Sequence, residues 1–235
     1  MKNQKELLDG VLDDVAAHRG SLVVFDLDDT LFSTSNRHKR ILDEYAELVE
    51  PSSPESAALL RAIRRESLRY LITDTVREAG LAERLVKDLK DSWFARFFQN
   101  PYLLEDAPIA GAPEYCAEVS ARGGVIVYVT GRDEGMRSGT EEAFVKHGFP
   151  NPDERGVKLV LKPRFETSDS VFKAEVIARL RAMGRVSASF ENEPTHTNLF
   201  QEAFPQGRHF LLDTKHSGRP VIPHPDVLRL VDFRR

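Results

Sequence analysis

The residues best suited to chemistry stand in the run Val23-Val24-Phe25-Asp26-Leu27-Asp28-Asp29-Thr30. Apolar residues lead straight into two carboxylates two positions apart, followed by a threonine. A continuous apolar run of this kind predicts a strand buried on both faces of a parallel sheet. Open α/β sheets bind ligands just beyond the C-terminal ends of their strands. Asp26 and Asp28 are therefore expected to project from a rigid strand end into a site. Carboxylates held that close repel, unless one is protonated or a cation lies between them. The pair suits a carboxylate nucleophile beside an acid/base partner, with a hard metal ion offsetting the charge.

Other polar residues follow apolar runs in the same way. Val125–Val129 leads into Thr130-Gly131-Arg132-Asp133, and Val186–Phe190 leads into Glu191-Asn192-Glu193-Pro194. Lys173 falls near the start of the helical stretch that precedes the second of these strands. Parallel strands share one C-terminal edge, so these groups would converge in one crevice. A nucleophile, an acid/base, a hydroxyl donor, a cation and a metal ligand are a complete set for moving a phosphoryl group.

The elements that must position these groups are readable in outline. Apolar spacing predicts a helix from Lys2 to His18, stopped by Gly20, and a strand from Ser21 to Phe25. Residues 36–99 show helix-forming composition and no strand pattern, with a break at Pro51-Ser52-Ser53-Pro54. Long helices are expected over Pro54–Glu78 and Leu81–Phe98, and Asn100-Pro101 marks the exit. Beyond Gly111, predicted strands at Val125–Val129, Val157–Leu161, Val186–Phe190 and His209–Leu212 alternate with helices. That alternation predicts an α/β fold, a Rossmann-like doubly wound parallel sheet with helices on both faces. Residues 1–33 and 100–235 would form this core, and residues 34–99 an inserted α-helical cap domain. The Pro- and Gly-rich tail from Ser217 to Pro225 is expected to wrap the surface.

These residues resemble the haloacid dehalogenase superfamily of phosphohydrolases. Asp26-Leu27-Asp28-Asp29-Thr30 is similar to its first motif and Thr130-Gly131-Arg132-Asp133 to its second. Lys173 matches the third-motif lysine, with Lys162 in Leu161-Lys162-Pro163 as the alternative. Phe190-Glu191-Asn192-Glu193 resembles the fourth motif, although glutamates stand where the family usually has aspartates. Either Glu191 or Glu193 could be the metal ligand; Glu191 is preferred because it follows the strand directly. The resemblance implies that Asp26 is a nucleophile forming an aspartyl-phosphate. Asp28 would protonate the leaving oxygen and then activate water. Thr130, Gly131, Arg132 and Lys173 would contact the substrate. Mg²⁺ would be held by Asp26, the main-chain carbonyl of Asp28, and Glu191. Relatives that displace halide or pump ions typically lack a carboxylate at the position of Asp28. Its presence favours a phosphatase, or else a phosphotransferase such as a phosphosugar mutase. An insert between the first two motifs resembles the caps that close over the site and restrict it to small phosphorylated metabolites, a sugar phosphate or a nucleotide.

Composition bounds the rest. With 41% hydrophobic and 30% charged residues, the chain is ordinary for a globular protein. A net charge of −4 gives no reason to expect a nucleic-acid or membrane partner. Segment Asp169–Lys173 has a weak similarity to polynucleotide 3′-phosphatases, which the acidity and the large insert argue against. The lone Cys116 forms no internal disulfide and is expected on a buried helix face. The N-terminal residues lack an apolar signal core and no stretch is apolar enough to span a bilayer, so a cytoplasmic enzyme is expected. The arginines Arg61, Arg64, Arg65 and Arg69 read as a solvated face rather than a grip on an anionic substrate, Trp93, Phe94, Phe97 and Phe98 as cap core with one or two able to face the site, and His196 as a solvent-facing or capping residue. A catalytically silent binding protein with the same fold is the rival from another class, favoured only by the altered fourth motif.

Overall fold

The computed structural model describes residues 3–235; Lys2, the expected start of the first helix, lies outside them. Helix α1 (Gln4–Ala17) opens with a reciprocal cap. Asn3 Oδ1 accepts the Glu6 N–H at 2.8 Å, and the Glu6 carboxylate accepts the Asn3 N–H. Strand β1 (Leu22–Phe25) follows, then the two-residue strand β2 (Phe32–Ser33). Four helices come next: α2 (Ser35–Val49), α3 (Pro54–Ala62), α4 (Ile72–Glu78) and α5 (Glu83–Phe97). The chain returns through α6 (Asn100–Leu103) and β3 (Ala107–Pro108). Then α7 (Ala112–Ala121), β4 (Val125–Asp133), α8 (Arg137–His147), β5 (Val157–Lys162), α9 (Asp169–Met183), β6 (Val186–Glu191), α10 (Pro194–Ala203) and β7 (Arg208–Leu212) alternate, and β8 (Leu228–Leu230) ends the sheet.

The six main strands pair in parallel in the order β5-β4-β1-β6-β7-β8. Strand β1 is central, with Phe25 in register with Tyr128 on one side and Phe190 on the other. Side chains alternate across a strand, so β1 feeds two cores. Val23 and Phe25 pack with Leu8, Leu12, Tyr115 and Phe144 from α1, α7 and α8. Leu22 and Val24 pack with Phe172, Val176, Leu180 and Phe200 from α9 and α10. The expected Rossmann-like parallel sheet with helices on both faces is therefore the observed one. Cys116 is fully buried on α7, as expected.

Helices α2–α5 build a separate apolar cluster, from Leu42 through Leu60, Leu68 and Val76 to Leu89. The expected single helix over Pro54–Glu78 is instead two helices joined by a 3₁₀ turn at Arg65–Ser67. Leu60, Ile63, Leu68, Ile72 and Val76 are all buried. The step from Ile63 to Leu68 breaks the 3.6-residue period, so one straight helix would turn Leu68 off the buried face. Bending the chain keeps all five in the insert's apolar cluster. Strands β2 and β3, which pair antiparallel with each other, were too short to leave a period in the sequence. The same holds for α6 and β8. Among the described residues, no helix is long and apolar enough to cross a membrane.

Two buried histidines, His209 and His38, are held neutral by the fold. His209 Nε2 lies 2.8 Å from the Phe204 carbonyl, which can only accept, so Nε2 carries the proton. Its Nδ1 therefore accepts from the Ser189 hydroxyl at 2.7 Å. Burial holds this imidazole below the usual histidine range, and buried His38 is pushed down to about 3. Unfolded histidine titrates near ~6.5, so the unfolded chain takes up protons that the folded chain refuses. Each such histidine contributes a loss of up to ~1.4 kcal/mol of stability per pH unit as pH drops below about 6.5, while Asp26, whose carboxyl is raised in the folded chain, contributes in the opposite sense. Urea unfolding of His209→Gln beside the unsubstituted chain isolates the histidine share: below about pH 6.5 the variant should lose less stability per pH unit.

Candidate active site

The C-terminal edge of the sheet collects most of the residues expected there. Asp26 follows β1, and its N–H donates to the Phe190 carbonyl of β6 at 3.0 Å, fixing its backbone to the neighbouring strand. Asp26 Oδ1 accepts from Lys173 Nζ at 2.8 Å, and Oδ2 from Thr30 Oγ1 at 3.1 Å. The same Lys173 ammonium donates to Glu191 Oε1 at the end of β6. All three side chains are nearly buried. Burial, joined by the charge of Glu191, pushes Asp26 up to about 7. Burial would raise Glu191 as well, but Lys173 and His196 draw it down to about 2. For Lys173, the two acids outweigh burial and keep the ammonium protonated.

Asp28 belongs to a second cluster. Its Oδ1 accepts from Arg132 Nε and from Arg37 Nη2, each at 3.1 Å. Asp106, before β3, accepts from Arg37 Nε and Arg132 Nη2, each at 2.8 Å. Arg132 also donates to Thr140 Oγ1 at 3.2 Å. Against the cost of burial, the two guanidinium groups hold the Asp28 carboxyl well below the usual carboxylate range. Arg132 is thus tied to two acids, and Arg37 brings the insert into the same cluster.

The loop between β1 and β2 is wound tightly. The Leu27 carbonyl accepts the N–H groups of Thr30, Leu31 and Phe32. Asp29 adopts a left-handed conformation at φ 56°, which aspartate tolerates better than most residues. Its carboxylate accepts the Thr34 N–H at 3.2 Å and hydroxyl at 3.0 Å, and Lys215 lies 3.2 Å away. Thr130 Oγ1 accepts the Arg132 N–H at 3.2 Å, which leaves its hydroxyl proton free for the cavity. A Cβ at Gly131 would stand 3.0 Å from Asp169 Oδ1, so the glycine admits that close approach. Lys162 is bonded to Asp169 at 2.9 Å and the Phe165 carbonyl at 3.2 Å, with no bond to Asp26.

Of these residues, Asp26, Asp28, Thr130, Arg132, Lys173 and Glu191 line a cavity of about 650 Å³, together with Glu193, Lys162 and His196. His196 is buried, its Nδ1 3.8 Å from Glu191 Oε1, so the expectation of a solvent-facing or capping residue is corrected. The aromatic run of α5 also differs from expectation. Trp93 packs on the insert's cluster, but with Phe97 and Phe98 it also lines the cavity, while Phe94 is largely exposed. Arg61, Arg64, Arg65 and Arg69 pair with acids at the surface or lie exposed, as expected, and none lines the cavity. Sequence reasoning missed Arg37, His38, Asp106, Tyr70, Leu71 and Arg219. Arg37 and Asp106 are 69 residues apart, and no spacing marks them as partners. The tail does more than wrap the surface: the Ser217 N–H donates to Glu193 Oε2 at 3.0 Å, and Ser217 and Arg219 join the cavity wall.

The donor set bears on the expected metal. Among the described residues, no three His, Cys, Asp or Glu side chains form a metal-ligating group. The expected Mg²⁺ set needs only two carboxylates and a carbonyl, since Mg²⁺ keeps several waters. Asp26 and Glu191 are close enough to bond one ammonium, and buried Glu191 Oε2 has no partner. Glu193 Oε1 is likewise buried and unpaired, while its Oε2 holds the tail. The residues fit a hard cation held largely by water, with Glu191 better placed than Glu193.

Solved structures share this architecture. A Clostridium difficile protein described as a phosphatase is 12% identical over 84% of this chain and 87% of its own, with a TM-score of 0.56. A haloacid dehalogenase-superfamily hydrolase of Geobacter sulfurreducens is 13% identical over 92% and 93%, with a TM-score of 0.55. The chain has the haloacid dehalogenase fold. Protein tyrosine kinase A of Mycobacterium tuberculosis shares it too, at 15% identity over 90% and 93% with a TM-score of 0.54. No family model matches the sequence, and no curated protein does. Within the haloacid dehalogenase fold, the reaction must therefore be argued from this chain's own residues.

Arg37 tests the second cluster directly. It is fully buried against fully buried Asp106. Truncating one partner of a buried pair leaves an uncompensated charge, at a cost of ~3–5 kcal/mol. Arg37→Ala should lose about that much in urea unfolding. Asp106→Asn, which keeps the shape and removes the charge, should also destabilise.

Proposed function

We propose that this chain is a Mg²⁺-dependent phosphatase acting on a small phosphorylated metabolite through an aspartyl-phosphate on Asp26. One observation carries the reading: a single buried ammonium bridges Asp26 and Glu191 in a cavity at the C-terminal sheet edge. The haloacid dehalogenase fold supports it.

Asp26 stands on a rigid strand end, with Thr30 orienting its second oxygen. Attack by a carboxylate oxygen on phosphorus would form the acyl phosphate and expel the leaving alkoxide. Lys173 would hold Asp26 in place and offset the charge of the incoming phosphate. The free hydroxyl proton of Thr130 would bond a phosphoryl oxygen. When bound by Asp26, Glu191 and the carbonyl of Asp28, Mg²⁺ would supply further charge neutralisation.

Asp28 is the intended acid/base, yet two arginines keep it ionised here. An ionised carboxylate fits the hydrolytic half, where it would take a proton from water. For the first half, the approach of a phosphate dianion would raise its proton affinity and compete for Arg132. Helices α2–α5 would act as the cap, excluding water and limiting substrate size. Residues 34–99 would move together against the core, which comprises 1–33 and 100–235.

Phosphate release from a generic aryl phosphate should require Mg²⁺ and stop with EDTA. Asp26→Asn should abolish it, and Asp28→Asn should lower kcat by about 10²–10⁴-fold. Hydrolysis that persists in Asp26→Asn would overturn the nucleophile. Failure to release phosphate from any ester in the presence of Mg²⁺ would overturn the enzyme.

A further inference from the structure

The cavity has two unlike walls. The sheet edge supplies the charged groups, as described. The opposite wall is apolar and aromatic: Tyr70, Leu71, Trp93, Phe97 and Phe98 from the insert, and Phe165 from the segment between β5 and α9. Phe98 and Phe165 meet edge-on with centroids 4.9 Å apart, and Trp93 stacks on Phe97 at 4.4 Å. Tyr70, Leu71 and Phe165 remain 47%, 51% and 39% exposed, although each is large and apolar. Clustered exposed apolar residues of this kind mark binding sites. Phosphate needs none of them.

Two polar groups stand in this wall, the Tyr70 hydroxyl and His38. Trp93 Nε1 donates to His38 Nδ1 at 3.0 Å. Indole nitrogen can only donate, so Nδ1 carries no proton and the neutral ring is protonated on Nε2. His38 lines the cavity, and its Nε2–H has no partner among the described residues. Burial, with Lys215 and Arg37 nearby, keeps the ring neutral. The wall therefore offers flat apolar faces, a fixed donor on His38 and the hydroxyl of Tyr70.

We infer that this wall binds a nucleobase, so that the substrate is a nucleoside monophosphate rather than a bare sugar phosphate. This rests on the phosphatase reading above and deepens it. A base presents a π-face to Phe98, Phe165 and Tyr70, and a ring nitrogen or carbonyl oxygen to His38. A sugar phosphate lacks that π-face, and its several hydroxyls would meet few polar partners on this side. Stacking on aromatic side chains tolerates any base, so the preference is for a ring over none. Binding held far from the reacting phosphorus can be used to lower the barrier there.

Adenosine and uridine 5′-monophosphate compared with ribose 5-phosphate, in Mg²⁺, isolate the base. At least one nucleotide should exceed ribose 5-phosphate in kcat/KM by about tenfold or more. Phe165→Leu, which keeps an apolar side chain but removes the ring, should narrow that ratio. Equal kcat/KM for all three, or a ratio unchanged by Phe165→Leu, would overturn the inference. Trp93 is the single tryptophan of the chain, so its fluorescence gives a readout that needs no turnover. With excitation near ~295 nm, either nucleotide should quench it saturably and ribose 5-phosphate should not. Should no ester be hydrolysed, the phosphatase reading fails while the fluorescence still decides the base site: quenching by a nucleotide sustains it, and no response to either overturns it.

Discussion

The site depends on one ammonium held between two buried acids. Asp26 and Glu191 end neighbouring strands, β1 and β6, whose register brings them side by side. Two carboxylates so placed would repel strongly in a medium that screens poorly. Lys173 makes the arrangement tolerable, and it does so from α9, which packs through Phe172, Val176 and Leu180 on the sheet face below. The packing of that helix thus fixes where the positive charge stands. One cation cannot fully neutralise two acids, and Asp26, buried and beside Glu191, is left with a proton affinity near neutrality.

A second charge cluster ties the insert to the core. Arg37 comes from the first helix of the insert, Asp106 from its exit, Arg132 from the loop after β4, and Asp28 from the loop after β1. Two arginines and two aspartates balance, which explains how so many charges are accommodated where water is scarce. The cluster also makes the acid of the proposed mechanism answer to the position of the insert. Any displacement of α2 withdraws one of the two guanidinium groups from Asp28.

The sheet and the charged half of the site were legible because their signals are local. An apolar run ending in Asp26-Leu27-Asp28 encodes both a buried strand and the chemistry at its end. The same is true of Val125–Thr130 and Val186–Glu191. Lys173 was legible from its helix, and its contact with Asp26 follows from how α9 crosses the sheet. The aromatic half was not legible. Trp93, Phe97 and Phe98 have helical spacing whether they face a core or a cavity, and only the placement of α5 decides. The Arg37–Asp106 pair joins two ends of an insert, so nothing local announces it. His196 was misjudged because a histidine in the first turn of α10 gives no sign that Glu191 lies beside it. The long-helix expectation for Pro54–Glu78 failed on a smaller scale, where the five-residue step from Ile63 to Leu68 outweighed good helix composition.

The antiparallel pairing of β2 with β3 sets the chain's entry to the insert beside its exit, with Phe32 opposite Pro108 and Ser33 opposite Ala107. Everything from α2 to α6 hangs from this two-rung ladder, and the parallel sheet does not depend on what lies beyond it for its own pairing. The arrangement is that of a hairpin whose turn has been enlarged into four main helices. Such a junction is indifferent to cargo: a longer, shorter or differently folded excursion could leave from Ser33 and come back at Ala107 without shifting β1 by a residue. In the proposed enzyme, substrate preference could therefore be rewritten in the excursion while Asp26 and Asp28 keep their places, provided each replacement restores a counter-charge for Asp106.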